Sequence, residues 1–159
     1  MKTLRYVLLV ILALIAGSTL GNSLSVFGVE PDLVLLVLIH VAVSAGRIQG
    51  TLFGFLAGFL QDVYSPGRLG INAFTNSIIG FGAGYAHGGV VTESLSVRAL
   101  IIFSATFVHD IIYFFLRSSG NPGDAAVLLF RYGFPTALYT TAVGITISFV
   151  LFTLRKKGG

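Results

Sequence analysis

The sequence predicts an all-α membrane protein, a polytopic bundle of six transmembrane helices. Three observations carry this. The 159 residues are 55% hydrophobic and only 10% charged, with mean hydropathy +0.91, whereas a soluble domain carries about 25% charged residues. The apolar runs approach the roughly 20 residues that cross a bilayer, and turn-forming residues separate them. The basic residues gather at span ends and loops. The chain reads as one integral membrane domain over residues 1–159, with no room for a bulky catalytic domain outside the membrane.

The first span covers about residues 4–27, behind Lys2 and Arg5. The basic start, apolar 7–15 and small Ala16-Gly17-Ser18 also resemble a signal peptide. An uncleaved anchor is preferred, because the apolar run exceeds such a core and the rest of the chain is polytopic. A break follows at Gly28-Val29-Glu30-Pro31-Asp32, where Pro31 suits a first helical turn and Asp32 complements the helix dipole. Residues 33–63 stay apolar apart from Ser44-Ala45-Gly46-Arg47 and Gln49. They form either one overlong helix or a hairpin spanning 31–45 and 48–63. The remaining spans are about 69–87, 99–116 and 126–154. Loops around Ser65-Pro66-Gly67-Arg68, Thr92-Glu93-Ser94 and Arg117–Asp124 separate them.

Charge decides the hairpin. With six spans and a cytoplasmic N-terminus, Lys2, Arg5, Arg47, Arg98, Arg155, Lys156 and Lys157 fall inside, and Arg68, Arg117 and Arg131 outside. With five spans this asymmetry is lost and Arg47 lies at mid-membrane, which costs a few kcal/mol. The positive-inside rule therefore predicts a multi-pass protein with both termini cytoplasmic. The net charge of +4 reflects this topology; the basic residues form no stripe for nucleic acid.

Small residues recur every fourth position: Gly50, Gly54 and Gly58; Gly80, Gly84 and Gly88; and Ala13, Gly17 and Gly21. Such faces let helix backbones approach closely in lipid. Close packing within the bundle is the simpler use and a partner interface the other. Two such faces on consecutive spans predict that the third and fourth pack together.

Asp110 stands among Phe107, Val108, Ile111 and Ile112, and an intramembrane carboxyl must be paired, protonated or wet. His109 is adjacent, and Arg131 is the candidate partner at similar depth. A buried polar brace, an Asp110–Arg131 pair, is preferred over a proton relay, since the core holds few titratable groups. Asp62 closes the third span and is placed to pair with Arg68, cap the loop or meet a partner. His40, His87 and His109 have no metal-site spacing, and His40 reads as a satisfied core residue. No HExxH, GxSxG or phosphate-loop motif occurs. Zero cysteines remove thiolate chemistry. No cofactor, metal or catalytic residue is expected, and nothing argues for an enzyme.

Pro31-Asp32-Leu33-Val34-Leu35-Leu36-Val37, the stretch from Gly50 to Asp62, and Tyr64-Ser65-Pro66-Gly67-Arg68-Leu69-Gly70-Ile71-Asn72-Ala73-Phe74 together resemble the MreD family of bacterial rod shape-determining membrane proteins. The region from Asp110 to Tyr113 is similar but less specific. The resemblance implies a multi-pass protein of the bacterial inner membrane that belongs to the elongasome. It would associate with MreC, a single-span protein, and directly or indirectly with RodA, a penicillin-binding transpeptidase and MreB. It also implies a fold similar to the substrate-binding subunits of energy-coupling vitamin transporters. At the matching positions Pro31, Asp32, Gly54, Gly58, Asp62, Gly70 and Asn72, it implies roles in packing, loop geometry and partner docking.

Two functions follow as expectations. The first is a non-enzymatic scaffold that docks a partner's membrane helix and supports lateral cell-wall synthesis. The alternative is a small-molecule, vitamin-type membrane binding subunit or transporter, drawing on Asp110, His109, Asn72, Asn76 and Arg131. Its span-one face of Ala13, Ala16 and Gly17 would meet a coupling module.

Overall fold

A computed structural model describes residues 2–26, 28–64, 69–88 and 94–157. It is built of helices: α1 (Lys2–Leu24), α2 (Leu33–Ala45), α3 (Arg47–Val63), α4 (Ile71–Ala83, continued by a 3₁₀ turn Gly84–Ala86), α5 (Leu95–Arg117), α6 (Pro122–Leu128) and α7 (Phe134–Lys157). A π-helical turn, Leu129–Gly133, joins α6 to α7 without a break. Consecutive helices pack on one another, α1 on α2, α2 on α3, α3 on α4, α4 on α5 and α5 on α7. Of the described residues, Leu95–Arg117 and Pro122–Val150 are long and apolar enough to cross a membrane.

The chain between Leu33 and Val63 is a hairpin of two helices, turning on Gly46 alone. Its φ of +93° and ψ of 176° lie in a region that essentially only glycine adopts. The turn is held by Gly46 N–H donating to Ala42 O (2.8 Å) and Gly50 N–H to Gly46 O (2.9 Å).

The last helix starts earlier than its apolar pattern suggests. Asn121 caps it, its side chain accepting from Gly123 N–H at 3.0 Å. Pro122 takes the first turn, where its missing N–H costs nothing. Residues that read as a loop are therefore the helix start. Pro135 accounts for the π turn: its ring would clash with the carbonyl four residues back. Just before it, Phe134 N–H donates to Leu129 O, five residues earlier, so the widened turn relieves the clash.

The core centres on α2, whose Leu35, Leu38, Val41 and Ala42 are fully buried. It touches α1, α3, α4, α5 and α7. The exterior is apolar: Leu8, Leu12 and Ile15 on α1, Leu52, Phe55 and Phe59 on α3, Phe74 and Phe81 on α4, and Ile147 and Phe149 on α7 are exposed. Asp62, Thr75, Asn76, Thr106, His109, Asp110 and Thr140 are buried instead. An apolar outside around a polar-seeded inside suits lipid as solvent. His40 is on the exposed face of α2 rather than in the core.

α2 has 13 residues and α5 has 23, about 20 Å against about 35 Å of helix. A central helix shorter than α1, α3, α5 and α7 around it leaves space at one end of the bundle, where α3 and α5 end and α2 and α4 begin.

Candidate functional site

That space is a cleft of about 760 Å³. Its floor is Glu30–Val34, where the chain enters α2. Its walls include Ile11, Leu14, Ile15 and Gly17 of α1, Leu60 and Gln61 of α3, Asn72 of α4, and His109, Asp110, Tyr113 and Phe114 of α5, with Thr136 of α7.

The floor is fixed by two bonds. Asp32 Oδ1 accepts from Leu35 N–H (2.8 Å) and caps α2. Asp32 N–H donates to Thr140 Oγ1 of α7 (3.0 Å). Pro31 beside it is buried. Thr140, fully buried, does not stand out in the sequence as a site residue; its only signal is a hydroxyl in an apolar span.

Asp62 is wholly buried and is a helix cap. Its carboxylate accepts from Gly70 N–H (3.0 Å), Asn72 N–H (3.1 Å), Asn72 Nδ2 (2.9 Å) and Ala73 N–H (2.9 Å). These are donors of the first turn of α4 and the residue before it, which lack intrahelical partners. Gly70 takes φ +93° to present its N–H. Of the three roles open to Asp62 in the sequence, capping the loop is the one seen; Arg68 lies outside the described residues. One turn below Asn72, Asn76 Nδ2 donates to Gln61 Oε1 (2.8 Å).

Asp110, 6% exposed, is bonded to its neighbour: His109 Nδ1–H donates to Oδ1 at 2.9 Å. Oδ2 is buried and has no hydrogen-bond partner. The expected Asp110–Arg131 pair is not what the structure shows. Arg131 is exposed and its guanidinium lies over the Tyr132 ring, 5.4 Å from the centroid. The reason is rotation about the helix axis. A Cβ on Gly133 would stand 3.1 Å from the Asp110 Cβ, so Gly133 is the residue turned toward Asp110. Arg131, two residues away, is roughly half a turn around.

The small-residue faces divide in use. A Cβ on Gly50 would strike Gly80 O, one on Gly54 Asn76 O, one on Gly58 Asn72 O, and one on Gly84 the Arg47 backbone. α3 and α4 thus meet backbone to backbone through Gly50, Gly54, Gly58, Gly80 and Gly84. Gly88 is not part of that seam; it is an exposed turn residue with φ +77°. Ala13 is buried in the core, while Gly17 has open space where a side chain would stand. The surroundings of Gly21 lie outside the described residues.

A second feature is a groove of about 530 Å³ between α4 and α5. Gly82, Ala83, Ala86, Ser104 and Ala105 form its floor, with Ile78, Tyr85, Ile101 and Val108 around them. Gly82 again has open space beside it. Ser104 turns its hydroxyl back to Leu100 O within its own helix, so it presents only small bulk. The period of four that marks Gly80 and Gly84 also relates Gly82 and Ala86, so spacing alone did not separate the two faces.

Among the described residues no group of three or more His, Cys, Asp or Glu is placed to hold a metal ion. No curated protein and no solved structure matches the chain. A family model described as rod shape-determining protein MreD matches residues 1–157. An apolar-surfaced helical protein matched over essentially its whole length in this way belongs to the MreD family, the rod shape-determining membrane proteins.

Proposed function

We propose that this protein is a non-enzymatic scaffold of the bacterial inner membrane. Six spans with both termini cytoplasmic form a bundle that docks the single membrane helix of an MreC-like partner. It thereby ties that partner, and through it RodA, a penicillin-binding transpeptidase and MreB, to lateral cell-wall synthesis. Membership of the rod-shape family supports the system.

The α4–α5 groove is the observation that carries the docking. The glycine seam of α3 and α4 is used up inside the chain, whereas Gly82, Ala83, Ala86, Ser104 and Ala105 present small side chains along an open strip. In lipid, helix association depends on close approach at small residues, and this strip offers it. The test is co-expression with the single-span partner from the same bacterium, followed by affinity capture. The unaltered chain should retain the partner; Gly82→Phe and Ser104→Phe, which fill the groove, should lose it while eluting as folded monodisperse protein. Retention by both filled variants would sink groove docking. A fluorescent reporter fused to the C-terminus should be bright in the cytoplasm, and a dark reporter would refute the topology.

The cleft favours a second reading, a small-molecule binding subunit akin to those of vitamin transporters. It has the volume of a ligand pocket and brings Asp110, His109, Gln61 and Asn72 to one apolar-walled space.

A further inference from the structure

We propose that the cleft above α2 binds an ammonium group carried on an apolar body, with Asp110 as its anion. This deepens the second reading and rests on it only in taking the cleft as a binding site.

Three observations converge. The first is charge: Glu30, Asp32 and Asp110 line the cleft, and no lysine or arginine does among the described residues. An anionic ligand would meet like charge there and find no cationic partner. The second is the state of Asp110, more than nine-tenths buried, with Oδ1 held by His109 and Oδ2 lacking a partner. A buried carboxyl oxygen left unpaired is costly, and a charged N–H donor is the strongest partner it can gain. Three neighbouring polar atoms of the cleft are already engaged, Asp32 Oδ1 with Leu35, Asn72 Nδ2 with Asp62, and Gln61 Oε1 with Asn76, whereas Asp110 Oδ2 is buried without a partner. The third is the wall. Ile11, Leu14, Ile15 and Leu60 make one side apolar, and Tyr113 adds an aromatic ring, which favours cations. Together these select a donor-bearing cation with a hydrocarbon portion.

Two sources share this chemistry, a free amphipathic amine and the headgroup amine of phosphatidylethanolamine. Native mass spectrometry of the full chain in a nonionic maltoside detergent separates them. Dodecylammonium, dodecanoate and phosphatidylethanolamine are titrated in turn. Dodecylammonium should give one saturable adduct and dodecanoate none. Displacement of the amine by phosphatidylethanolamine would assign the lipid as the source; its failure to compete would assign a free amine. Asp110→Asn keeps an oxygen for His109 and should weaken the amine roughly tenfold or more.

Gly17 gives a second handle, because a side chain there enters open space in the cleft. Gly17→Lys supplies the chain's own ammonium and should displace the probe, while Gly17→Met should not. Dodecanoate binding as well as dodecylammonium would overturn the cation assignment while leaving a binding site. Binding of none of the three probes would overturn both the proposal and the second reading, leaving the cleft to a basic side chain of a protein partner. An amine that binds equally to Asp110→Asn and Gly17→Lys would also overturn it. None of these outcomes bears on the α4–α5 groove.

Discussion

Asp62 Oδ1, one residue from the end of α3, accepts from both the backbone N–H (3.1 Å) and the side-chain amide (2.9 Å) of Asn72 in the first turn of α4. With Oδ2 bonded to Gly70 and Ala73, one carboxylate serves four donors and fixes where α4 begins. The same seam is drawn shut by Gly58, whose missing Cβ makes room for the Asn72 carbonyl. Capping and glycine packing therefore support each other along one helix pair.

Asp62→Ala should strip the cap and leave the buried Ala73 N–H and the part-buried Gly70 and Asn72 donors without their acceptor. The cost is about 2–4 kcal/mol, more than an exposed cap because desolvated donors add to it. A fluorescence-monitored melt in detergent reads this as a large fall in apparent melting temperature. Asp62→Asn retains an acceptor and should fall between. If alanine melted like the parent protein, the cap would not be what holds the α3–α4 junction.

Gly54→Ala should destabilise by about 1–3 kcal/mol, because its Cβ would collide with the Asn76 carbonyl and push two backbones apart. Gly17→Ala is the control. Its Cβ meets nothing within 4 Å, and alanine is the better helix former by about 1 kcal/mol, so this variant should melt no lower than the parent. Size-exclusion profiles across a temperature series compare the two. Equal losses would show that glycine content rather than the seam matters.

These cases mark how far the sequence carries. The glycine seam was legible because a period of four fixes one face of a helix, and two such faces on successive spans have a natural mate. The hairpin follows from the polar interruption and from the charge of Arg47, but its hinge residue does not, since no spacing rule distinguishes a one-residue turn at Gly46 from a tolerated glycine. Asp110 stands out as costly in the sequence, but its contact is with His109 rather than Arg131. Depth along a helix follows from residue number, but azimuth depends on packing, and the π turn before Pro135 resets it. Thr140 was invisible, because its use is to accept a backbone N–H from Asp32, 108 positions away. The cleft has no local signature at all; it lies where the short α2 begins between the longer α1, α3, α5 and α7.

Arg131→Ala should leave the protein folded, with a change under about 1 kcal/mol, since the side chain is exposed and loses only a cation–π contact with Tyr132. Gly133→Ala, two residues on, should cost about 1–3 kcal/mol, because its Cβ would press on Leu129, Asp110 and Phe114. The order of these two effects is the measurement. A larger loss at Arg131 would restore an ion pair with Asp110.

Thr140→Val replaces a buried hydroxyl by a methyl of nearly equal shape, so it tests the hydrogen bond with little change in packing. Thr140 Oγ1 accepts from Asp32 N–H at 3.0 Å, and Asp32 in turn caps α2 through Leu35 N–H. Valine leaves that N–H without its acceptor where the chain enters its central helix. The expected loss is about 1–3 kcal/mol, the cost of a buried donor left unpaired. Thr140→Ser keeps the acceptor and loses only a methyl, about 1 kcal/mol of burial. A melt should therefore rank parent, serine and valine in that order. Hydrogen exchange at the Asp32 and Leu35 amides should accelerate in the valine variant alone, since only it frees the start of α2. Equal exchange in serine and valine would mean that the floor of the cleft is held by packing rather than by this bond.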